Sequence, residues 1–260
     1  MELVEKVAIV TGSSRGIGYG IASALSRVGA KVIISGREEE TCRSAVETIT
    51  QDGGSSIYVT IDIARSGEVE RLVEAALEAF GKVDILVNNV ATNPYEGPVI
   101  GVPLPDWQRT LSVNLTAPLL LAQTCWNAWM KHAGGNIVNV ASVGAHRPAH
   151  PTMGVYDISK SALVHLTTQL AAELAPSVRV NAVAPGLIKT EFSRSAWEDG
   201  QGEIIATGYP MQRLGEPSDV ADAVVYLVGK GAGWVTGQTI TVNGGGLDPF
   251  DWETRPGHYR

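Results

Sequence analysis

Cysteine is scarce in this chain, and aromatic residues make up only 6% of it. The two cysteines among 260 residues, Cys42 and Cys125, can form neither a disulfide framework nor a four-cysteine zinc site. Both lie in stretches of helical periodicity, so we expect two buried thiols in a reducing compartment.

Basic residues are outnumbered by acidic ones. The chain has 20 Lys and Arg against 27 Asp and Glu, a net charge of −7, and no basic run longer than two residues. A protein that neutralises nucleic-acid phosphates needs clustered positive charge. The charge pattern therefore argues against a nucleic-acid partner.

Long hydrophobic runs are missing as well. The longest apolar stretch, residues 115–125, is interrupted by Thr116 and Pro118 and is shorter than the roughly 20 residues of a membrane span. Glu2 and Glu5 stand where a signal peptide would carry positive charge followed by an apolar core. We therefore expect a cytoplasmic protein with no membrane partner.

The hydrophobic fraction of 44% is that of a compact globular protein. Short β-branched runs alternate with longer stretches of helical periodicity, which is the pattern of a parallel sheet with helices on both faces. The predicted strands are 7–10, 32–35, 56–61, 85–88, 136–142, 178–184 and 239–242. The predicted helices are 16–28, 38–50, 66–79, 106–130, 155–175 and 218–228. We predict an α/β protein, a single-domain doubly wound Rossmann fold with a seven-stranded parallel sheet.

Two regions depart from this alternation. Residues 188–214 are too long for a simple connection, and such insertions are commonly active-site lids. Residues 247–260 place Phe250 and Trp252 among prolines, so this tail is expected either to dock on a surface or to fray. We predict a dinucleotide-binding domain over residues 1–246, with an integral active site and lid, followed by the tail.

A glycine-rich turn, T-G-S-S-R-G-I-G at residues 11–18, joins the first predicted strand to the first helix. Glycines permit a tight turn and close backbone approach, and the free N–H groups of a helix N-terminus attract a pyrophosphate. The position of the turn between strand and helix predicts a dinucleotide site. The predicted contacts are Gly12, Ser14, Arg15, Gly16, Ile17 and Gly18.

The end of the second strand indicates which dinucleotide is bound. An acidic residue there would accept hydrogen bonds from a free ribose 2′-hydroxyl, but the chain reads Ser35-Gly36-Arg37. The guanidinium groups of Arg37 and Arg15 suit a 2′-phosphate. We therefore predict NADP(H) rather than NAD(H).

Three residues with catalytic chemistry follow in order: Ser142 at the end of the fifth strand, then Tyr156 and Lys160. Tyr156 and Lys160 are four residues apart, so they share one face of a helix. A neighbouring cation stabilises a phenolate, which would lower the pKa of Tyr156 toward a value useful for proton exchange. The carboxyl end of a strand, where Ser142 lies, is the usual ligand position in such sheets.

Together these residues resemble the short-chain dehydrogenase/reductase family, from Lys6 to about Gly246. The glycine turn resembles the family's cofactor motif, and four further segments match in the right order. They are Asp62-Ile63, the pair that contacts adenine; Asn88-Asn89, the motif after the fourth strand; Asn114, the fourth catalytic residue; and Pro185-Gly186 with Ile188 and Thr190, the segment that holds the nicotinamide carboxamide.

The resemblance implies a mechanism in which hydride passes to a carbonyl carbon while Tyr156 protonates the oxygen. Ser142 would hydrogen-bond that oxygen, and Tyr156 and Lys160 would contact the cofactor ribose. Asn89 would contact the cofactor, and Asn114 would fix a water that links Lys160 to solvent. Family members commonly form homotetramers through two long helices, which here are the ones predicted over residues 106–130 and 155–175, so we expect a homo-oligomer, a tetramer or a dimer.

The chain departs from the family pattern at two places. It reads Asn88-Asn89-Val90-Ala91 where the family usually has Asn-Asn-Ala-Gly, so we expect altered packing there with cofactor binding retained. Ser142 and Tyr156 lie fourteen positions apart rather than the more frequent thirteen, which predicts a loop one residue longer.

That loop contains His146, Arg147 and His150. Pro148 and Pro151 disfavour the helix that would align the two histidines on a metal, so we predict no metal. His150 is a candidate substrate contact, and an ordinary loop position is the alternative. Ser142, Tyr156 and the lid residue Trp197 are the other predicted substrate contacts.

We expect an NADPH-dependent ketoreductase that interconverts a small or medium hydrophobic ketone and its secondary alcohol. One alternative is a 3-oxoacyl-carrier-protein reductase, but Ala133 and Ala172 stand where arginines would dock the acidic carrier. A catalytically silent cofactor-binding sensor or scaffold is a further alternative, although Ser142, Tyr156 and Lys160 are all present. Sugar-nucleotide epimerases share the Tyr-x-x-x-Lys pattern but need a longer chain.

Overall fold

The computed structural model describes residues 3–246. The tail predicted over residues 247–260 lies outside the described residues. Seven parallel strands form one sheet in the order β3-β2-β1-β4-β5-β6-β7. The strands are β1 Val7–Val10, β2 Lys31–Gly36, β3 Ser55–Thr60, β4 Ile85–Asn88, β5 Gly135–Val140, β6 Val178–Pro185 and β7 Thr239–Val242. The predicted fold class, a doubly wound seven-stranded parallel sheet, is confirmed.

The helices are α1 Gly16–Arg27, α2 Glu39–Gln51, α3 Glu68–Phe80, α4 Leu104–Leu111, α5 Ala117–Cys125, α6 Lys131–Ala133, α7 Gly154–Leu174, α8 Gln201–Thr207 and α9 Pro217–Val228. Helices α1, α2 and α9 cover one face of the sheet, and α3, α5 and α7 cover the other. Strand residues alternate between the two cores: Ala8 and Val10 face the first, and Val7 and Ile9 face the second. Both faces of the sheet are therefore buried, as a parallel sheet requires.

The helix predicted over residues 106–130 is longer and less regular than expected. Helices α4, α5 and α6 follow one another without a break, joined by π-helical turns at Ser112–Thr116 and Trp126–Met130. A π-turn widens the helix by one residue and changes the direction of the side chains in that turn. The first of these turns contains Asn114.

The order of the strands places the ligand crevice. The chain runs outward from β1 to β3 and then returns to β4 on the other side of β1. Open parallel sheets bind ligands at the carboxyl ends of the two strands where the direction reverses. The crevice is therefore bounded by the turns that follow Val10 and Asn88.

Candidate active site

The turn after β1 forms a tight glycine cradle. Gly12 and Gly16 have positive φ angles of 61° and 58°, which favour glycine. A Cβ added at Gly18 would overlap the carbonyl oxygen of Gly12, so only glycine allows helix α1 to lie this close to the turn. The N-cap residue Arg15 makes no side-chain capping bond. The first-turn N–H groups of α1 are therefore left to bind an anion.

Asn89 braces this cradle from the neighbouring strand. Its Nδ2 donates to the carbonyl oxygens of Thr11, at 2.9 Å, and Gly12, at 3.1 Å. The backbone N–H groups of Asn89 and Val90 both donate to Thr11 Oγ1. The side chain of Val90 lies against Gly12, where a Cβ would come within 2.8 Å of Val90 Cγ2. The side chain of Val90 thus packs directly on Gly12 of the cradle.

A cavity of about 570 Å³ runs from this cradle along the carboxyl ends of the strands. Every residue predicted to contact the cofactor lines it, which fits an extended dinucleotide. These residues are Gly12, Ser14, Arg15, Gly16, Ile17, Gly18, Arg37, Asp62, Ile63, Asn89, Tyr156, Lys160, Pro185, Gly186, Ile188 and Thr190.

The two arginines and Asp62 lie toward the end of the cavity formed by β2 and β3. Arg15 and Arg37 are exposed, with Glu38 beside them in the cavity wall. Asp62 accepts two hydrogen bonds from Arg109 Nη2, at 3.1 and 3.2 Å. The pKa of Asp62 is lowered on balance, because the Ala64 N–H and the Arg109 guanidinium outweigh the effect of burial. Asp62 is therefore held as a carboxylate.

At the other end of the cavity, Ser142, Tyr156 and Lys160 come together. Tyr156 and Lys160 lie on α7, and Lys160 Nζ is 5.5 Å from the centroid of the Tyr156 ring. Ser142 follows β5 and caps a short 3₁₀ turn, with its Oγ accepting from the Gly144 N–H at 3.1 Å. Lys160 is 1% exposed, and its Nζ donates to the carbonyl oxygen of Val140 at 2.6 Å.

The expectation that Lys160 would lower the pKa of Tyr156 is wrong for this structure. Burial is the largest influence and raises the pKa of the Tyr156 phenol, the charge of Asp157 raises it further, and only a hydrogen bond from Ser142 lowers it. Burial also lowers the pKa of Lys160, to about 7, so its positive charge is itself disfavoured. In the protein alone, the phenol is held protonated at neutral pH.

Asn114 lies behind these residues and is fully buried. Its Nδ2 donates to the carbonyl oxygen of Thr92 and to Ser159 Oγ, at 3.0 and 2.9 Å, and its Oδ1 accepts from the Thr92 N–H. It does not belong to the described residues that line the cavity. Asn114 therefore ties the π-turn of the long helix to α7 and to the segment after β4.

The predicted substrate contacts are only partly brought together. Ser142 and Tyr156 line the cavity, but His150 and Trp197 are not among its described lining residues. His150 is exposed, and its Nδ1 lies 2.9 Å from Thr152 Oγ1. Trp197 Nε1 bonds to the Thr190 carbonyl oxygen and to Ser193 Oγ, so its indole holds the base of the 188–214 segment.

Other residues that were not among the predicted substrate contacts line the cavity near Tyr156, although Phe192 was expected as an apolar lid residue. Phe192 has its ring 6.0 Å from that of Tyr156 and is 58% exposed. Met153 and Asn93 are joined by a contact of 3.2 Å between Asn93 Nδ2 and Met153 Sδ. The apolar character of Phe192, within a predicted lid, was the only signal in the sequence for this wall.

The described residues contain no cluster of three potential metal-ligating side chains, and no helix among them is long and apolar enough to cross a membrane. Cys42 and Cys125 are both free and buried.

Comparison with known proteins agrees with this geometry. Residues 12–246 match a family model described as enoyl-(acyl carrier protein) reductase. Dehydrogenase/reductase SDR family member 4 from Bos taurus is 41% identical over 247 residues, which are 94% of this chain and 88% of that protein.

Two solved structures share the fold and about a third of the residues. One is a 7α-hydroxysteroid dehydrogenase complexed with NADH and 7-oxo glycochenodeoxycholic acid; it has 34% identity and a TM-score of 0.89, covering 95% of this chain and 96% of its own. The other is described as a putative NAD(P)-dependent gluconate 5-dehydrogenase from Beutenbergia cavernae with bound NADP; it has 34% identity and a TM-score of 0.86, covering 94% and 97%. The chain is an oxidoreductase of the short-chain dehydrogenase/reductase family, whose members bind a nicotinamide cofactor.

Proposed function

We propose that this protein is an NADP(H)-dependent ketoreductase that interconverts a small or medium hydrophobic ketone and its secondary alcohol. The observation that carries the proposal is the shared cavity, where Ser142, Tyr156 and Lys160 stand beside the apolar side chains of Met153 and Phe192. We assign the reaction to a dinucleotide-binding domain over residues 1–246, with residues 188–214 as its lid.

In this proposal Tyr156 is the general acid. A nicotinamide cofactor, when bound, supplies the hydride that the carbonyl carbon accepts. Tyr156 donates its phenolic proton to the carbonyl oxygen, and Ser142 stabilises the charge that develops on that oxygen. Burial raises the pKa of Tyr156, so the phenol carries a proton at neutral pH that it can donate to the carbonyl oxygen.

Lys160 and Asn114 support this step. Lys160 would hold the cofactor ribose while keeping its bond to the carbonyl oxygen of Val140. Asn114 would fix the water that connects Lys160 to solvent, from the position set by its bonds to Thr92 and Ser159.

The preference for NADP(H) rests on Arg15 and Arg37. Both are exposed at the end of the cavity where an adenosine ribose would lie, and a guanidinium pair suits a 2′-phosphate. The wild type should therefore have a higher kcat/KM with NADPH than with NADH. Arg37→Asp should move this ratio toward NADH, because it replaces a cation with a group that repels the phosphate and accepts from a free hydroxyl.

Arg43→Asp is a matched control for this cofactor test, since Arg43 is exposed on α2 but is not among the described residues lining the cavity. It should leave the cofactor ratio unchanged. An NADH kcat/KM equal to or above that for NADPH in the wild type contradicts the proposed preference.

A carrier-linked substrate is the second candidate, favoured by the description of the matched family. An acidic carrier meets a net charge of −7 here, and Ala133 and Ala172 offer no docking cation. The test compares kcat/KM for aryl or cyclic ketones, a short 3-oxoacyl thioester and the same chain on its carrier. A hundredfold advantage for the carrier, falling steeply with salt, favours the second candidate.

If the protein is instead a catalytically silent sensor or scaffold, it should bind NADPH but turn over none of these substrates. We retain a cytoplasmic location as part of the proposal, to be tested by cell fractionation, and expect neither a membrane nor a nucleic-acid partner.

A further inference from the structure

A buried carboxylate lies directly beside the proposed proton donor. Asp157 follows Tyr156 on α7 and is 5% exposed. Its Oδ2 accepts a hydrogen bond of 2.7 Å from the Ala149 N–H, in the loop between Ser142 and Tyr156. Its Oδ1 is buried and has no hydrogen-bond partner within residues 3–246. Burial of a carboxylate is costly, which raises the question of what this carboxylate contributes to the neighbouring site.

The same carboxylate lies against the turn that holds Ser142. A Cβ added at Gly144 would overlap the carboxyl group of Asp157, so this turn and the carboxylate are in direct contact. The N–H of Gly144 in turn donates to Ser142 Oγ. Asp157 therefore touches the 3₁₀ turn after β5 and the far part of the loop, while its own backbone is fixed in α7.

We propose that Asp157 is a positioning residue, which ties the loop of residues 143–153 to the helix carrying Tyr156 and so fixes Ser142 and the substrate wall at Met153. The hydrogen bond that it accepts from the Ala149 N–H holds the loop, and its packing against Gly144 fixes the position of the turn that carries Ser142. The inference rests on the proposed function, because it takes Tyr156 and Ser142 as the groups that act on a carbonyl.

The charge of Asp157 also affects the ionisation of Tyr156. Along the chain, the titratable and charged groups nearest to Asp157 are Tyr156 and Lys160 on α7 and His146, Arg147 and His150 on the loop that it contacts. Among these, Tyr156 has its pKa raised by the charge of Asp157. Burial raises the pKa of Asp157 itself to about 6, so it is ionised at neutral pH but becomes neutral in mildly acidic solution.

Two variants separate the hydrogen bond from the charge. Asp157→Asn keeps a carbonyl oxygen for the Ala149 N–H and removes the charge. Its KM for the ketone should stay within about twofold of wild type, while the pH limb that reports ionisation of Tyr156 moves to lower pH. Asp157→Ala removes both, and its KM should rise by about tenfold, the scale of one lost buried hydrogen bond, with a smaller change in kcat.

Glu74→Gln is the matched control, because Glu74 is an exposed acid on α3 and its loss changes the net charge equally. It should leave KM and the pH profile unchanged. A residue that serves only the stability of the fold would lower the melting temperature in both Asp157 variants without moving either kinetic quantity, and that result overturns the proposal. If Asp157→Ala does not fold, Ala149→Pro removes the N–H donor of the same hydrogen bond and should raise KM for the ketone in its place; an unchanged KM then overturns the proposal.

Amide hydrogen exchange tests the tie without relying on activity. Exchange over residues 143–153 should be faster in Asp157→Ala than in wild type and Glu74→Gln, because the Ala149 N–H loses its acceptor. Unchanged exchange in that loop overturns the proposal. If the wild type binds NADPH but reduces no ketone, the proposed function fails, whereas the exchange result still decides whether Asp157 holds the loop.

Discussion

At the scale of single residues, the phenol of Tyr156 carries most of the proposed chemistry. Tyr156→Phe removes the transferable proton and the bond to Ser142 but little surface. Turnover should fall by at least about a hundredfold, at the low end of what general acids contribute, while the NADPH dissociation constant changes little. Steady-state kinetics and fluorescence titration measure the two quantities. Near-normal kcat from pH 6 to 9 in the variant would identify another proton donor.

Because Lys160 is buried, we expect the free energy of unfolding to depend on pH in an unusual range. Its pKa is about 7 in the folded protein against an ordinary value of 10.5, so between these values the unfolded chain binds a proton that the folded protein does not. Stability conferred by this group therefore rises with pH from about 7 to 10.5, by at most about 1.4 kcal/mol per pH unit. Urea denaturation of the cofactor-free protein at pH 7, 8 and 9 measures the slope.

Lys160→Met should lose this slope. Its stability relative to the wild type should be highest near pH 7, because the buried ammonium destabilises the folded wild type there. Lys131→Met is the control, because Lys131 is exposed at the end of the long helical segment and should keep the wild-type slope. A slope that persists in Lys160→Met assigns the titration to another group.

At the scale of elements, the glycine cradle depends on a brace from the neighbouring strand. Asn89→Ala removes the donor to the carbonyl oxygens of Thr11 and Gly12 and leaves both without that partner. The dissociation constant for NADPH should rise by about tenfold or more, as expected when buried polar groups lose a shared partner. Fluorescence titration measures it.

Asn93→Ala is the matched control for Asn89. Asn93 also lines the cavity, and its substitution also removes a side-chain amide. The amide of Asn93, however, contacts Met153 rather than the cradle. Its NADPH affinity should remain that of the wild type, whereas its KM for the ketone changes. Equal loss of cofactor affinity in both variants would mean that the brace has no special role.

The elements show how far local pattern determines the fold. All seven strands were predicted within two residues of their observed ends, because short β-branched runs bounded by turn residues are typical of strands. The long helical segment was predicted as a regular helix over 106–130. Its π-turns, one of which orients Asn114, were not predicted, because residues far away in the chain, such as Thr92 and Ser159, hold that side chain.

At the scale of the whole molecule, the site is where distant segments meet. The cofactor contacts could be predicted, since they follow strand ends whose position in a parallel sheet is general. The substrate wall could not be predicted with the same success. Met153 and Phe192 reach the cavity only through the folding of two long connections, and the same folding leaves His150 and Trp197 outside the described lining. The pKa of Tyr156 likewise depends on burial that no local pattern encodes.

Two helices of the isolated chain expose large apolar side chains. Leu120 on α5 is 42% exposed and Ile158 on α7 is 41% exposed. Family members are commonly oligomeric, and covering such side chains gains roughly 25 cal/mol per Å² of apolar surface. The protein should therefore run as a dimer or tetramer of its 27.5 kDa chain in size-exclusion chromatography with light scattering.

Leu120→Glu and Ile158→Glu test whether these helices form the interface. Each places a charge where an apolar contact is expected, and burying an unpaired charge costs several kcal/mol, so both variants should shift toward the monomer. Ile204→Glu is the control, since Ile204 is 75% exposed but lies on α8, outside the two long helices. Assembly through this surface would be ruled out if the wild type were monomeric, or if the mass of both variants were unchanged at low micromolar concentration. If a variant does become monomeric, its activity will show whether the cavity is complete within one chain.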